Sequence, residues 1–195
     1  MSSMSKTSVV ILGHSIVRRF HEFLKYGDIR YSASLGLGET HSVLYRGVGG
    51  RKVRDVISKD MESVFALGPD VVVLMIGEND ISPRTDATLL AAEIESVVSV
   101  MHRRYKVAKI IVCKLLPRFG VRFGYNNIAD KVNAILRDAL PALGYCVFWE
   151  HGNYFVSPRE GDCSRKFVHD GVHLNSQGNV HLYRSIRGAL ISARK

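Results

Sequence analysis

Ser8-Val9-Val10-Ile11-Leu12-Gly13-His14-Ser15-Ile16-Val17-Arg18-Arg19-Phe20 stands close to the start of the chain. An unbroken apolar run of strand length, a glycine turn and a helical pattern follow one another with no linker. Ser8 to Leu12 reads as a strand buried on both faces. Ser15 to about Tyr26 reads as a helix with Ile16, Phe20, Phe23 and Leu24 on one side. The same unit recurs. Val43-Leu44-Tyr45 is a weak second strand ending in Gly47-Val48-Gly49-Gly50, and a helical pattern runs from Lys52 to about Leu67. Gly68-Pro69 breaks it, and Asp70 to Ile76 is the clearest strand of the chain. Thr85 to Tyr105 reads as a long helix and Lys109 to Cys113 as a strand. Asn126 to Leu140 is helical up to Pro141, Gly144 to Trp149 is a fifth strand, and Ser176 to Ala193 is a closing helix with Ser176 as its N-cap. Five apolar strands interleaved with helices predict a parallel sheet covered on both faces. Right-handed crossovers then give a three-layer α/β/α domain.

The composition agrees with such a domain. The chain has 195 residues, of which 46% are hydrophobic and 23% charged. That composition excludes a disordered or collagen-like chain. The length predicts one domain, over residues 8–195, behind a Ser-rich flexible tail at residues 1–7. A domain of this size buries about 70% of its unfolded surface and needs neither disulfides nor a structural metal. The longest apolar run, Val71 to Ile76, is far short of a membrane helix, and Met1 to Thr7 lacks the apolar core of a signal peptide. The three cysteines, Cys113, Cys146 and Cys163, have no CxxC spacing and cannot all pair. They predict a reducing, intracellular setting, cytoplasmic or nuclear.

In an open parallel sheet, ligands sit beyond the carboxyl ends of the strands. The first strand ends in Gly13-His14-Ser15-Ile16. A Ser between strand and helix exposes its Oγ on a tight turn beside helix N–H groups, as a nucleophile requires. It is equally a preferred helix N-cap. The second strand ends in closely spaced glycines at 47, 49 and 50, which suit either backbone donation to a ligand or a plain turn. The third ends in Gly77-Glu78-Asn79-Asp80, where Asn79 either donates its NH₂ into the same crevice or serves ordinary turn chemistry. Asp170-Gly171-Val172-His173 places a carboxylate three residues before a histidine, able to bind Nδ1–H and leave Nε2 as a base. Each piece alone has a plain structural reading. Together, and in this order, they supply a nucleophile, a base, its orienting carboxylate and oxyanion donors.

That set resembles the SGNH, or GDSL-like, hydrolases, which are lipases and esterases of flavodoxin-like fold. The resemblance spans nearly the whole chain. The Ser block is similar to Gly13-His14-Ser15-Ile16, the Gly block to Gly47-Val48-Gly49-Gly50 and the Asn block to Gly77-Glu78-Asn79-Asp80. The His block is similar to Asp170-Gly171-Val172-His173-Leu174-Asn175, continued by Ser176-Gln177-Gly178. It implies Ser15 as nucleophile, His173 as base and Asp170 as its partner. The oxyanion hole would comprise the Ser15 and Gly50 N–H groups and the Asn79 side chain. The implied activity is hydrolysis of a carboxylic ester, short-chain or acetyl, through an acyl-enzyme and without metal or cofactor. The opening Gly13 to Arg19 is also similar to esterase-like domains encoded by some animal transposable elements.

Two positions depart from the family. His14 stands where the family usually has Asp, and Arg51 follows the Gly block where Asp is frequent. Both changes predict a more positive site that favours an anionic substrate or oxyanion, with His14 and Arg51 as substrate contacts, or else changed helper hydrogen bonds around the Ser turn. Lys52 and Arg54 lie beside them. Arg118 to Tyr125 mixes cations and aromatics on a loop, which places Phe119 and Tyr125 as further candidates for a substrate or base-stacking surface. The chain carries 27 Lys+Arg against 18 Asp+Glu, a net charge of +9. That charge permits a second reading, an SGNH-fold module binding nucleic acid or another polyanion. His14, His151 and His169 lack any recognised metal-ligand spacing, so no metal is expected.

Overall fold

The computed structural model describes residues 5–120, 124–155 and 164–193. The first strand, β1 (Thr7–Gly13), enters α1 (Ser15–Tyr26), and β2 (His41–Gly47) follows. Next come a short turn of helix, α2 (Val53–Asp55), a wider π turn at Val56–Asp60, and α3 (Met61–Phe65). The remainder is β3 (Val71–Met75), α4 (Ala87–Arg103), β4 (Lys109–Cys113), α5 (Tyr125–Ala139), β5 (Cys146–Trp149) and α6 (Ser176–Ser192). The five strands are all parallel, in the order β2-β1-β3-β4-β5. This is the expected three-layer α/β/α architecture, with the strand order of flavodoxin-like folds.

Alternate residues of each central strand serve opposite layers, because side chains on a strand alternate faces. Val10, Leu12, Val72, Leu74, Ile110 and Val112 pack under α4, α5 and the Val53–Phe65 segment. Val9, Ile11, Val73, Met75, Ile111 and Cys113 pack under α1 and α6. Burial on both faces is why these strands read as continuous apolar runs. β2 lies at the sheet's edge, and its outward residues, among them Leu44, are exposed. Its alternating exposure explains its weaker signal.

Three local expectations are corrected. Thr7 pairs with His41 inside β1, so the tail boundary drawn after residue 7 falls within a strand; Met1 to Met4 lie outside the described residues. The helix expected over Lys52–Leu67 is divided by the π turn, which ends on Asp60, the partner of Arg51. Asn175, not Ser176, caps α6: its Oδ1 accepts from Gly178 N–H at 3.0 Å.

Candidate active site

Every block singled out in the sequence lies at or beyond a strand's carboxyl end. Gly13 closes β1 where a Cβ would lie 2.1 Å from the Met75 carbonyl, so only glycine lets β1 turn this tightly beside β3. His14 follows, and its Nδ1 accepts from Ile16 N–H at 3.3 Å. His14 is therefore the N-cap of α1. The capping role that competed with nucleophile for Ser15 is thus taken by its neighbour, and the Ser15 side chain faces elsewhere. Its Oγ donates to His173 Nε2 at 2.9 Å, and His173 Nδ1–H donates to Asp170 Oδ2 at 2.7 Å. A carboxylate only accepts, which fixes the imidazole tautomer and leaves Nε2 as the acceptor facing Ser15.

Asp170 is held as firmly as it holds. Its Oδ1 accepts from the backbone N–H groups of Val172 and His173 at 2.8 and 2.9 Å. Burial works to raise its pKa, but those N–H groups and the imidazole outweigh it and keep the carboxyl well below the usual range. Gly171 has φ +68, and a Cβ there would meet the Phe119 carbonyl at 2.1 Å. The loop carrying the histidine therefore presses backbone to backbone on the segment after β4. Phe119 N–H donates to Gly171 O at 2.9 Å.

The Gly and Asn blocks are also joined. Gly50 takes φ +72 on an exposed turn. Asn79 Nδ2 donates to the Arg51 carbonyl at 3.0 Å. Asp80 accepts from Val53 N–H at 3.1 Å and so closes the start of α2; burial pushes its pKa up to about 6.

Each of the two departures faces a carboxylate. His14 is buried, and with Nδ1 committed to Ile16 its Nε2–H donates to Glu78 Oε2 at 2.7 Å. Burial alone would raise the Glu78 pKa, but His14 and the Leu116 N–H hold it down. The Arg51 guanidinium makes a two-pronged ion pair with Asp60, at 2.9 and 2.7 Å. The expectation of His14 as a substrate contact is corrected, because His14 is buried against Glu78, while the Arg51 guanidinium is engaged by Asp60. Tyr125 is corrected too. It is wholly buried, and its hydroxyl donates to the Leu116 carbonyl. Phe119 does stay partly exposed, where it borders a hollow of about 290 Å³ with Gly120, Phe167, Val168, His169 and Gly171. Lys52 and Arg54 line a separate polar cleft of about 260 Å³ with Asp80, Thr85, Asp86 and Glu93. Arg122, Phe123 and Cys163 lie outside the described residues. Glu78 and Asp60 escaped the sequence reading. Glu78 stood inside a quoted block, yet nothing local marks its partner 64 residues away.

Comparison with known proteins places the chain in a family. The model of the GDSL-like Lipase/Acylhydrolase family matches residues 11–180, from β1 into α6. The chain belongs to that family. It is a hydrolase acting on ester bonds. Over 182 residues it is 30% identical to platelet-activating factor acetylhydrolase IB subunit alpha2 of Homo sapiens, covering 91% of this chain and 73% of that protein. The structure of a GDSL-like lipase from Bacteroides thetaiotaomicron superposes with TM-score 0.74 at 18% identity, covering 99% of this chain and 93% of that one. An acetylxylan esterase from Geobacillus stearothermophilus, solved as a catalytic mutant, gives 0.72 at 18% identity, covering 95% and 94%. Among the described residues, no helix is long and apolar enough to cross a membrane, and no group of three or more His, Cys, Asp or Glu side chains is placed to hold a metal ion.

Proposed function

We propose that this acylhydrolase is a serine carboxylesterase acting on short acyl esters, acetyl esters above all, with Ser15 as nucleophile, His173 as base and Asp170 as orienting carboxylate. The observation that carries the reading is the unbroken relay Ser15 Oγ–His173 Nε2 at 2.9 Å and His173 Nδ1–Asp170 Oδ2 at 2.7 Å. His173 takes the hydroxyl proton as Oγ attacks the ester carbonyl. The oxyanion falls to the Ser15 and Gly50 N–H groups and the second Nδ2 hydrogen of Asn79, each contributing about 3–4 kcal/mol. His173 then protonates the leaving alcohol, and water it activates releases the acyl group. No step calls on a metal or cofactor. The hollow beside Phe119 adjoins the His173 loop and would take an apolar part of the substrate. The acetyl preference is supported by likeness to an acetylhydrolase and an acetylxylan esterase. Buried, unpaired Cys113 and Cys146 support an intracellular setting.

The polyanion-binding alternative keeps the net charge of +9 in its favour, but His14 and Arg51, the two departures that drew it to this site, are paired with Glu78 and Asp60. The test is hydrolysis of p-nitrophenyl acetate, butyrate and octanoate by the wild type, Ser15→Ala and His173→Ala. Loss in both variants with preference for acetate is expected. A wild type no faster than folded Ser15→Ala would defeat the proposal.

A further inference from the structure

The segment after β4 carries a cation that the relay leaves unused. Arg118 has its backbone fixed first: its N–H donates to Asn126 Oδ1 at 2.9 Å, and its carbonyl accepts from Asn126 Nδ2 at 2.8 Å. Its guanidinium then lies over the Tyr125 ring, 4.6 Å from the centroid. From that seat Nη2 donates to Asn79 Oδ1 at 3.1 Å. The other end of the same amide donates to the Arg51 carbonyl at 3.0 Å.

A guanidinium only donates and a backbone carbonyl only accepts. Turning the Asn79 amide over would set donor against donor at Arg118 and oxygen against oxygen at Arg51. The amide therefore has one orientation, with Nδ2 on the side of the Gly block. Nδ2 has two hydrogens, and Arg51 takes one. A cation on Oδ1 also draws electron density toward it and sharpens the remaining N–H as a donor.

We propose that Arg118 is the positioning residue of the oxyanion hole: it locks Asn79 with its NH₂ toward the developing oxyanion and strengthens that donor. The inference rests on the serine-esterase reading above. Negative charge appears on the carbonyl oxygen only as the tetrahedral state forms, so the effect belongs to kcat and leaves KM almost untouched. A lysine keeps the charge but loses the planar fork that stacks on Tyr125 while reaching Asn79, so it restores only part of the effect.

The experiment is a double-mutant cycle read by p-nitrophenyl acetate kinetics and by ¹⁵N NMR, on wild type, Arg118→Met, Arg118→Lys, Asn79→Ala and Asn79→Ala/Arg118→Met. Arg118→Met should lower kcat roughly tenfold with KM within about twofold, and Arg118→Lys should fall between. Once Asn79 is alanine, adding Arg118→Met should cost less than about twofold, because positioned and positioner act through one contact. Equal losses in both backgrounds, or a loss confined to KM, would overturn the proposal. The side-chain NH₂ signals of Asn79, identified by their disappearance in Asn79→Ala, should shift in Arg118→Met and partly return in Arg118→Lys. Unshifted signals would overturn the proposal whatever the activity. A wild type no faster than Ser15→Ala would defeat the esterase reading instead, and the NMR result would still decide whether Arg118 holds Asn79.

Discussion

Replacing His14 by aspartate is a sharp test of how this site balances its charge. Asp is itself a good N-cap, so the acceptor for Ile16 N–H survives. What changes is the other end of the side chain. His14 and Glu78 are 2% and 3% exposed and meet at 2.7 Å. His14→Asp would set two carboxylates against each other in that space. At about 4 Å and an effective dielectric of 20, their repulsion is about 4 kcal/mol. Losing a buried partner costs a similar 3–5 kcal/mol. Taking up one proton caps the damage, so we expect a loss of about 3–5 kcal/mol at pH 7 by urea unfolding. The pH dependence should also invert. In the wild type, the Glu78 pKa is held below its unfolded value, so its contribution is present above about pH 4.3 and is lost as pH falls through the folded value. In His14→Asp the pair's folded pKa is raised, so stability is greatest in acid and is lost as pH rises through that value. Adding Glu78→Gln removes the second charge and gives the introduced carboxylate an amide donor; most of the loss should return. A His14→Asp protein as stable as wild type, or a double variant worse than the single, would refute the reasoning.

Three further outcomes follow from the same geometry. Asp170→Asn still accepts the Val172 and His173 N–H groups but turns an NH₂ toward Nδ1, forcing the wrong tautomer; kcat should fall by about 10⁴ with KM little changed, and a loss under tenfold in esterase kinetics would count against the relay. Gly171→Ala adds a Cβ that would sit 2.1 Å from the Phe119 carbonyl at φ +68; about 1–3 kcal/mol of stability and most of kcat should go, and a fully active, equally stable variant would contradict this packing. The Asp80 pKa, raised to about 6 by burial, means stability that is present below its unfolded value and is lost as pH rises through about 6; Asp80→Asn should flatten the unfolding profile between about pH 4 and 7, and an unchanged slope would rule that out.

How much of this could be read from the sequence follows the range of the interactions. Strands β1, β3 and β4 are continuous apolar runs because both faces are covered, and so they are plain in the sequence. The Ser15 and Asp170–His173 blocks are plain as well, because each is a short stretch of local turn chemistry. The π turn at Val56–Asp60 is not, since the apolar spacing of Val53, Val56, Met61 and Val64 suits one continuous helix. The partners of the two departures are hidden for a related reason. The Ser and Gly blocks show His14 and Arg51 but not the Glu78 and Asp60 that face them, the one 64 and the other nine residues distant.

The same distinction applies to the mutual placement of the blocks. The Asn block and the His block are far apart along the chain, and neither contains a residue that specifies the other. The segment after β4 supplies the link. Leu116 N–H donates to Glu78 at 3.3 Å, the Arg118 guanidinium to Asn79 at 3.1 Å, and Phe119 N–H to the Gly171 carbonyl at 2.9 Å. A strap that contributes no member of the Ser15–His173–Asp170 relay thus fastens the Asn block to the loop that carries His173. Leu116 and Phe119 act through main-chain N–H groups, which any residue but proline supplies, so these two bonds carry no side-chain signature. Oxyanion geometry needs donors set to a few tenths of an ångström, and on the proposed reading that setting depends on a short strap whose sequence, Leu116-Pro117-Arg118-Phe119, looks on its own like an ordinary loop.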